Sequence, residues 1–344
     1  MNMSVDQDGI DLRLKVIFKE MVSSTEMVTP LAGDASARRF FRVGAQPLRR
    51  GDSCILIVFP LPAREEIHHY LLQSICLQQA GLPVPELYQS GYDSGFLLVE
   101  DCGDDHLQGA VSSLPKEDVR DLYFMAIDLI LKMQKEIIPE RYPDSPATRM
   151  AFDQKTFYRE LQHFLIYTIE GYYQVRLSQK DRDAFNRYFS SVCREIASRQ
   201  MVYCHRDYHS RNLMVSGGSL RLIDFQDARM GPYTYDLVSL LEDPYTNLSA
   251  EFCRELREYY LSRMAPRLKK NIVKDFDRDY DMMSIQRLLK AAGTYGYMFQ
   301  EKGKPGYVAY LAPVFRRVNE ILGGYPELTG LNILLQKYYR PGSE

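Results

Sequence analysis

The stretch MVYCHRDYHSRNLMVSGGSLRLIDFQDARMGPYTYDLVSLLED, residues 201–243, decides how the chain is read. Asp207 stands in HRD, Asn212 follows five residues later, and Asp224 stands in IDF. The apolar runs LMV and LRLID flank SGGS, which predicts two small strands joined by a Gly-Gly turn. Asn212 precedes the first strand and Asp224 follows the second, so a hairpin here is expected to bring them close. An amide oxygen and a carboxylate so placed suit a hard cation such as Mg2+, which takes oxygen ligands and keeps its own waters. Asp207 is then left to face a hydroxyl, orient it and take its proton.

H-x-D-x-x-x-x-N followed by D-F-x is the set of parts that phosphoryl transfer from a nucleotide requires. The γ-phosphoryl group carries dense negative charge, so a metal must neutralise it. Each residue alone reads as part of a polar loop; the ordered combination around a hairpin is specific. HRDYHSRNLM, LIDFQDARMGPYTYDLVSLL and the later QRLLK resemble the aminoglycoside-phosphotransferase-like kinases. Within them the chain is most similar to the bacterial amino-sugar kinases that phosphorylate N-acetylmuramate and N-acetylglucosamine at the anomeric hydroxyl. The resemblance spans nearly the whole chain.

It implies an α+β, two-lobe protein-kinase-like (aminoglycoside phosphotransferase) fold. Residues 1–101 would form an N-lobe, a small antiparallel sheet with one helix. Residues 102–344 would form a mainly helical C-lobe. ATP with Mg2+ is expected in the cleft, with Asp207 catalytic and Asn212 and Asp224 holding the metal. The implied partner is a small-molecule sugar, and the chain is expected to act as a monomer.

Composition agrees with such an enzyme. The chain has 344 residues, 45% hydrophobic and 26% charged, enough for a large core. A net charge of −2 gives no reason to expect a nucleic-acid binder. No apolar run reaches membrane-spanning length, and MNMSVDQDGIDLRLK lacks a basic-then-apolar export signal. Six scattered cysteines without a C-x-x-C pair read as reduced thiols, which places the chain in the cytoplasm.

Toward the N-terminus, residues 9–22 have helical apolar spacing. A strand then enters LAGDAS, and ARRFFRV leaves it as a second strand. Protein kinases place three glycines at this turn, whereas the chain has only Gly33. Backbone amides around Asp34 and Ser36 are candidates to meet phosphate, as in any tight turn. The strand CILIVFPLP (54–62) lacks the lysine that kinases use to hold the α- and β-phosphates. An arginine of the preceding hairpin, Arg38 or Arg42, is expected to replace it, since Arg binds phosphate bidentately.

AREEIHHYLLQSICLQQA (63–80) reads as a helix with Ile67, Leu71, Leu72 and Ile75 on one face, stopped by Gly81 and Pro83. GFLLVED (95–101) is a buried strand. By resemblance, the backbone of Glu100 and Cys102 at the exit of this strand recognises adenine.

From residue 115 the pattern turns helical. Aromatic stripes in KTFYRELQHFLIYTIEGYY and QKDRDAFNRYFSSVCREIASR read as core, and Glu160 and His163 are the kind of groups that line an acceptor cleft. Only eleven residues separate Asp224 from Asp236, too few for a long switchable loop. Asp227 either assists the metal or touches acceptor hydroxyls. Asp236 opens a helix that it is placed to cap; by resemblance it braces the catalytic loop. Gln286, Arg287 and Lys290 fall at helical spacing and suit a sugar-binding wall, where the two cations would also meet a lactyl carboxylate. Two other readings stand beside this one. The acceptor of the same fold can be an aminoglycoside, a choline-like molecule or another sugar, or the chain can be a non-catalytic pseudokinase.

Overall fold

The computed structural model describes residues 13–14, 16–17, 25–31, 37–45, 53–268 and 273–339. Most of the helix expected at 9–22 and the turn carrying Asp34 and Ser36 lie outside the described residues. The chain forms two compact units. One takes the chain through Asp105 together with Met214–Gln226, and the other takes His106–Leu213 and the chain from Asp227 onward.

The first unit is built on a five-stranded antiparallel sheet in the order β1-β2-β3-β5-β4. Its strands are β1 (Thr25–Leu31), β2 (Arg39–Ala45), β3 (Ser53–Val58), β4 (Leu87–Gly91) and β5 (Phe96–Glu100). The register sets Phe41 opposite Leu56 and Leu56 opposite Leu98, with Val58 opposite Phe96. Alternation puts these side chains on one face, where they form a buried cluster with Ile17 and Val43. β3 and β5 are central and covered on both faces, so CILIV and FLLV are unbroken apolar runs.

Helix α1 (Arg64–Gln79) ends as expected: Gly81 takes a φ of 71° and the Leu82 amide donates back to the Leu77 carbonyl. Its buried face differs from the expected one. Ile67, Tyr70, Ser74 and Leu77 point inward while Ile75 is 48% exposed. The 67-70-74-77 spacing follows the helical repeat more closely than 67-71-75, and the Tyr70 ring finds Phe225 at 4.9 Å.

The hairpin expected from SGGS forms. β7 (Leu213–Ser216) and β8 (Ser219–Leu222) are joined by Gly217 and Gly218 at φ 56° and 73°, values that a two-residue hairpin turn demands. The sequence reading put this hairpin in residues 102–344, but Met214–Gln226 groups with the first unit. The Val215 amide donates to the Asp105 carbonyl at 2.7 Å and Leu222 to Pro83 at 2.8 Å. Arg221 pairs with Glu100 at 3.1 Å.

The second unit is mainly helical. Its helices are α2 (Leu107–Ser113), α3 (Lys116–Glu136), α4 (Pro146–Arg149), α5 (Gln154–Phe164), α6 (Gln179–Ala197), α7 (Tyr235–Leu241), α8 (Ala250–Met264), α9 (Phe276–Lys302), α10 (Leu311–Gly323) and α11 (Thr329–Tyr338). A strand pair, β6 (Met201–Cys204) with β9 (Arg229–Pro232), sits among them. Helix α9 is the axis, packing against α5, α6, α7 and α10. α5 continues as a π-helix over Leu165–Tyr172, and α9 presents Gly293 and Gly296 to it. A Cβ at Gly293 would lie 2.8 Å from the Phe164 amide nitrogen, and one at Gly296 would strike the Tyr167 carbonyl. No helix of the described residues is long and apolar enough to cross a membrane.

Candidate active site

β6 delivers the chain into the loop 205–212, which is held from several sides. Arg206 takes a φ of 80°, a backbone strain that surrounding bonds must fix. The Asp236 carboxylate supplies them by accepting from the His205 amide at 2.7 Å and the Arg206 amide at 3.1 Å. Asp236 therefore braces this loop and does not cap its own helix, whose N-cap is Thr234. The Tyr208 hydroxyl donates to the Ala126 carbonyl, and the Ser210 amide to Asp243. Arg211 lies 3.7 Å over the Tyr245 ring. His205 is fully buried, edge-on to Tyr208, as a structural imidazole.

The loop presents Asp207, whose side chain is 31% exposed. Three cations converge on it, Lys290 at 3.8 Å together with Arg206 and Arg287. Burial pushes the Asp207 carboxyl up, but these charges override it and hold the group well below the usual carboxylate range. Lys290 also lies 3.9 Å from Glu160, and burial with the nearby Arg287 lowers its ammonium to about 8. The Tyr235 hydroxyl accepts from Arg287 at 2.9 Å and from Lys290 at 3.4 Å. Gln286 donates to Glu160 at 2.7 Å. Gln286 Oε1 and Arg287 Nε are buried without a partner among the described residues. Asp227 pairs with Arg206 at 3.2 Å. Asp207, His209, Arg287 and Lys290 line a cavity of about 120 Å3; a larger one of about 510 Å3, behind Glu242 and Arg317, contains none of them.

Asn212 is spoken for at its nitrogen, which donates to the Asp207 carbonyl at 2.9 Å, and this leaves its amide oxygen for another ligand. In the first unit Asp224 takes a φ of 62°, and its Oδ1 accepts from Arg38 at 3.0 Å and from Gln226 at 2.9 Å. Its other oxygen is free among the described residues. Each group by itself is a hard oxygen donor of the kind Mg2+ takes. Among the described residues there is no cluster of three or more His, Cys, Asp or Glu side chains that would hold a metal without such amide and water ligands.

The two arginines offered as substitutes for the strand lysine differ sharply. Arg42 is committed to Asp101 at 2.6 Å and to Asp104 at 2.9 Å, and Ser53 also donates to Asp101. Arg38 lies 6.0 Å from the Phe40 ring and 5.9 Å from the Phe59 ring, with its charge on Asp224. The Glu100 amide donates to the Glu86 carbonyl, which leaves only its own carbonyl for a ligand. Cys102 is buried and its thiol is pushed up to about 12 by burial.

Sequence reasoning missed Tyr235 and Asp243. A tyrosine in a run of apolar helix gives no signal, and Asp243 lies beyond the motif it supports. Glu160 could be named as a residue type but not placed.

A loop aspartate among cations in the helical unit and a small antiparallel sheet in the other unit are features of a kinase-type phosphotransferase. A model of the phosphotransferase enzyme family matches residues 27–270, and the chain belongs to that family. It is 29% identical over 313 residues to the N-acetylmuramate/N-acetylglucosamine kinase of Pseudomonas aeruginosa, covering 89% of this chain and 87% of that one. It is 28% identical to the protein of that name from Neisseria meningitidis, covering 88% and 90%. Among solved structures it resembles the ADP-bound aminoglycoside phosphotransferase APH(2'')-Ib, with a TM-score of 0.62, 13% identity, and coverage of 92% of this chain and 99% of that one. A choline/ethanolamine kinase family protein from Mesorhizobium loti matches with a TM-score of 0.60, 14% identity, and coverage of 96% and 99%. These two likenesses concern the fold.

Proposed function

We propose that the chain transfers the γ-phosphoryl group of ATP to the anomeric hydroxyl of N-acetylmuramate or N-acetylglucosamine, in the cytoplasmic recycling of cell-wall sugars. Membership of the phosphotransferase family and the names of relatives matching most of the chain support a sugar kinase. The observation that carries the choice of acceptor is the charge around Asp207. The charges that act most on Asp207 are the cations Lys290, Arg206 and Arg287. Such a surround repels a polycationic aminoglycoside or a choline-like cation and accepts a neutral sugar or one bearing a lactyl carboxylate.

In this reading Asp207 orients the acceptor hydroxyl and takes its proton. Its carboxyl lies below the usual range, so it is ionised at any working pH. Arg287, which lines the cavity with Asp207, would meet the acceptor's polar groups. Asp227 steadies Arg206 and is not spent on the metal. Asn212 and Asp224 hold Mg2+, which when bound neutralises charge on the phosphates. Arg38 is the substitute for the strand lysine, because Arg42 is consumed by two carboxylates. Adenine is read by the Glu100 carbonyl and the Cys102 amide, while Asp34 and Ser36 remain candidates for the phosphate turn.

The test is ATP consumption with Mg2+ against N-acetylmuramate, N-acetylglucosamine, glucose, choline and kanamycin. Turnover on the N-acetylated sugars, lost in Asp207→Asn by about 10²–10⁴-fold, is the expected result. Turnover on kanamycin or choline alone would discard the acceptor, and a fully active Asp207→Asn would discard the mechanism.

A further inference from the structure

Asp207 is one carboxylate facing three cations, and the most distant of these in sequence, Lys290, carries the least secure charge. Arg206 and Arg287 repel it and burial disfavours it. Something must hold an ammonium there. Lys290 Nζ lies 3.8 Å from Asp207 Oδ1 and 3.9 Å from Glu160 Oε1, and its side chain is only 16% exposed. Glu160 is 15% exposed, brought to the site by α5. Its Oε2 accepts from Gln286, one turn before Lys290 on α9, which fixes the carboxylate with Oε1 toward the ammonium. The other groups that face Lys290 are Arg206 and His209 of the loop, Tyr235 of α7, Arg287 of its own helix, and Glu242 and Asp243, which line the same cavity but form no ion pair with it among the described residues. Glu160 is thus the one carboxylate besides Asp207 in direct range of Lys290 among the described residues.

We propose that Glu160 is a positioning residue of the phosphoryl-transfer site, clamped by Gln286 so that it holds the charged Lys290 of α9 against Asp207. The catalytic loop supplies no lysine of its own, so the point charge beside the base comes from a helix 83 positions further along the chain. Lys290 thereby balances charge at the reacting hydroxyl, and Glu160 keeps it protonated. The inference rests on the reading of Asp207 as the base.

Glu160→Gln keeps shape and polarity and removes the charge. Its kcat is expected to fall at least tenfold with KM for ATP unchanged, and Glu160→Asp should recover part of the loss. Lys290 acts as the ammonium, so activity should fall as pH rises through about 8. Glu160 raises that value, so in Glu160→Gln the alkaline limb of kcat should move to lower pH. The double variant Glu160→Gln/Lys290→Met should be no slower than Lys290→Met alone, because Glu160 acts through the lysine. An unmoved alkaline limb, or losses that multiply in the double variant, would overturn the proposal. Circular-dichroism melts of each variant separate misfolding from these effects. If Glu160→Gln behaves as wild type while Asp207→Asn is inactive, this inference fails alone; if Asp207→Asn is also active, the underlying reading fails.

Discussion

Asp236 has no contact with a substrate in this scheme, yet the site depends on it. It is fully buried and gives its carboxylate to two amides of a strained loop. Burial lifts its carboxyl to about 7, against the pull of those amides and of Arg287. A carboxyl that titrates higher when folded contributes stability that is complete below about pH 4 and is lost as pH rises through the folded value. The Tm advantage of wild type over Asp236→Asn should therefore be larger at pH 5 than at pH 8; an advantage that grows with pH would contradict this account. At the same scale the sequence motif put forward Asp207, Asn212 and Asp224 as candidates by residue type and spacing. Arg38 and Arg42 were equivalent on paper. Only folding showed that Asp101 and Asp104 consume one of them.

Helix α1 shows where periodicity runs short. Ile67 and Ile75 both looked like core, but Ile67 is fully buried while Ile75 is half exposed. Ile67→Ala should cost about 2–5 kcal/mol and Ile75→Ala under about 0.5 kcal/mol by urea denaturation. The buried face is fixed by Tyr70 meeting Phe225, a residue 155 positions away that no local pattern could supply. Helix α9 carries the converse lesson. Its two glycines, which helix propensity disfavours, are contact points for the π-helical run after α5. Gly293→Ala and Gly296→Ala should each lower stability by about 1–3 kcal/mol through overpacking, despite alanine's better helix propensity. A gain in urea midpoint would show that this contact yields.

For the molecule as a whole, ligand linkage gives the broadest check. A ligand that binds only the folded protein adds about 2.7 kcal/mol at a hundredfold its Kd. Mg2+ with ATP should raise Tm in wild type, and EDTA or Asp224→Asn should remove the metal-dependent part of that rise. An equal rise in Asp224→Asn would take Asp224 out of the metal site.

The sequence by itself determined the class of chemistry and the order of the elements. HRD, the asparagine after it and IDF state their purpose through residue type and spacing, and helical and strand periods are local properties of the chain. The tertiary structure decided the rest. It gave the hairpin 214–226 to the first unit through bonds to Pro83, Asp105 and Glu100. It also assembled the charge around Asp207 from α5, the loop, α7 and α9. The reason is that electrostatic surroundings and packing partners are set by distances in space between residues far apart in the chain, which no local pattern encodes.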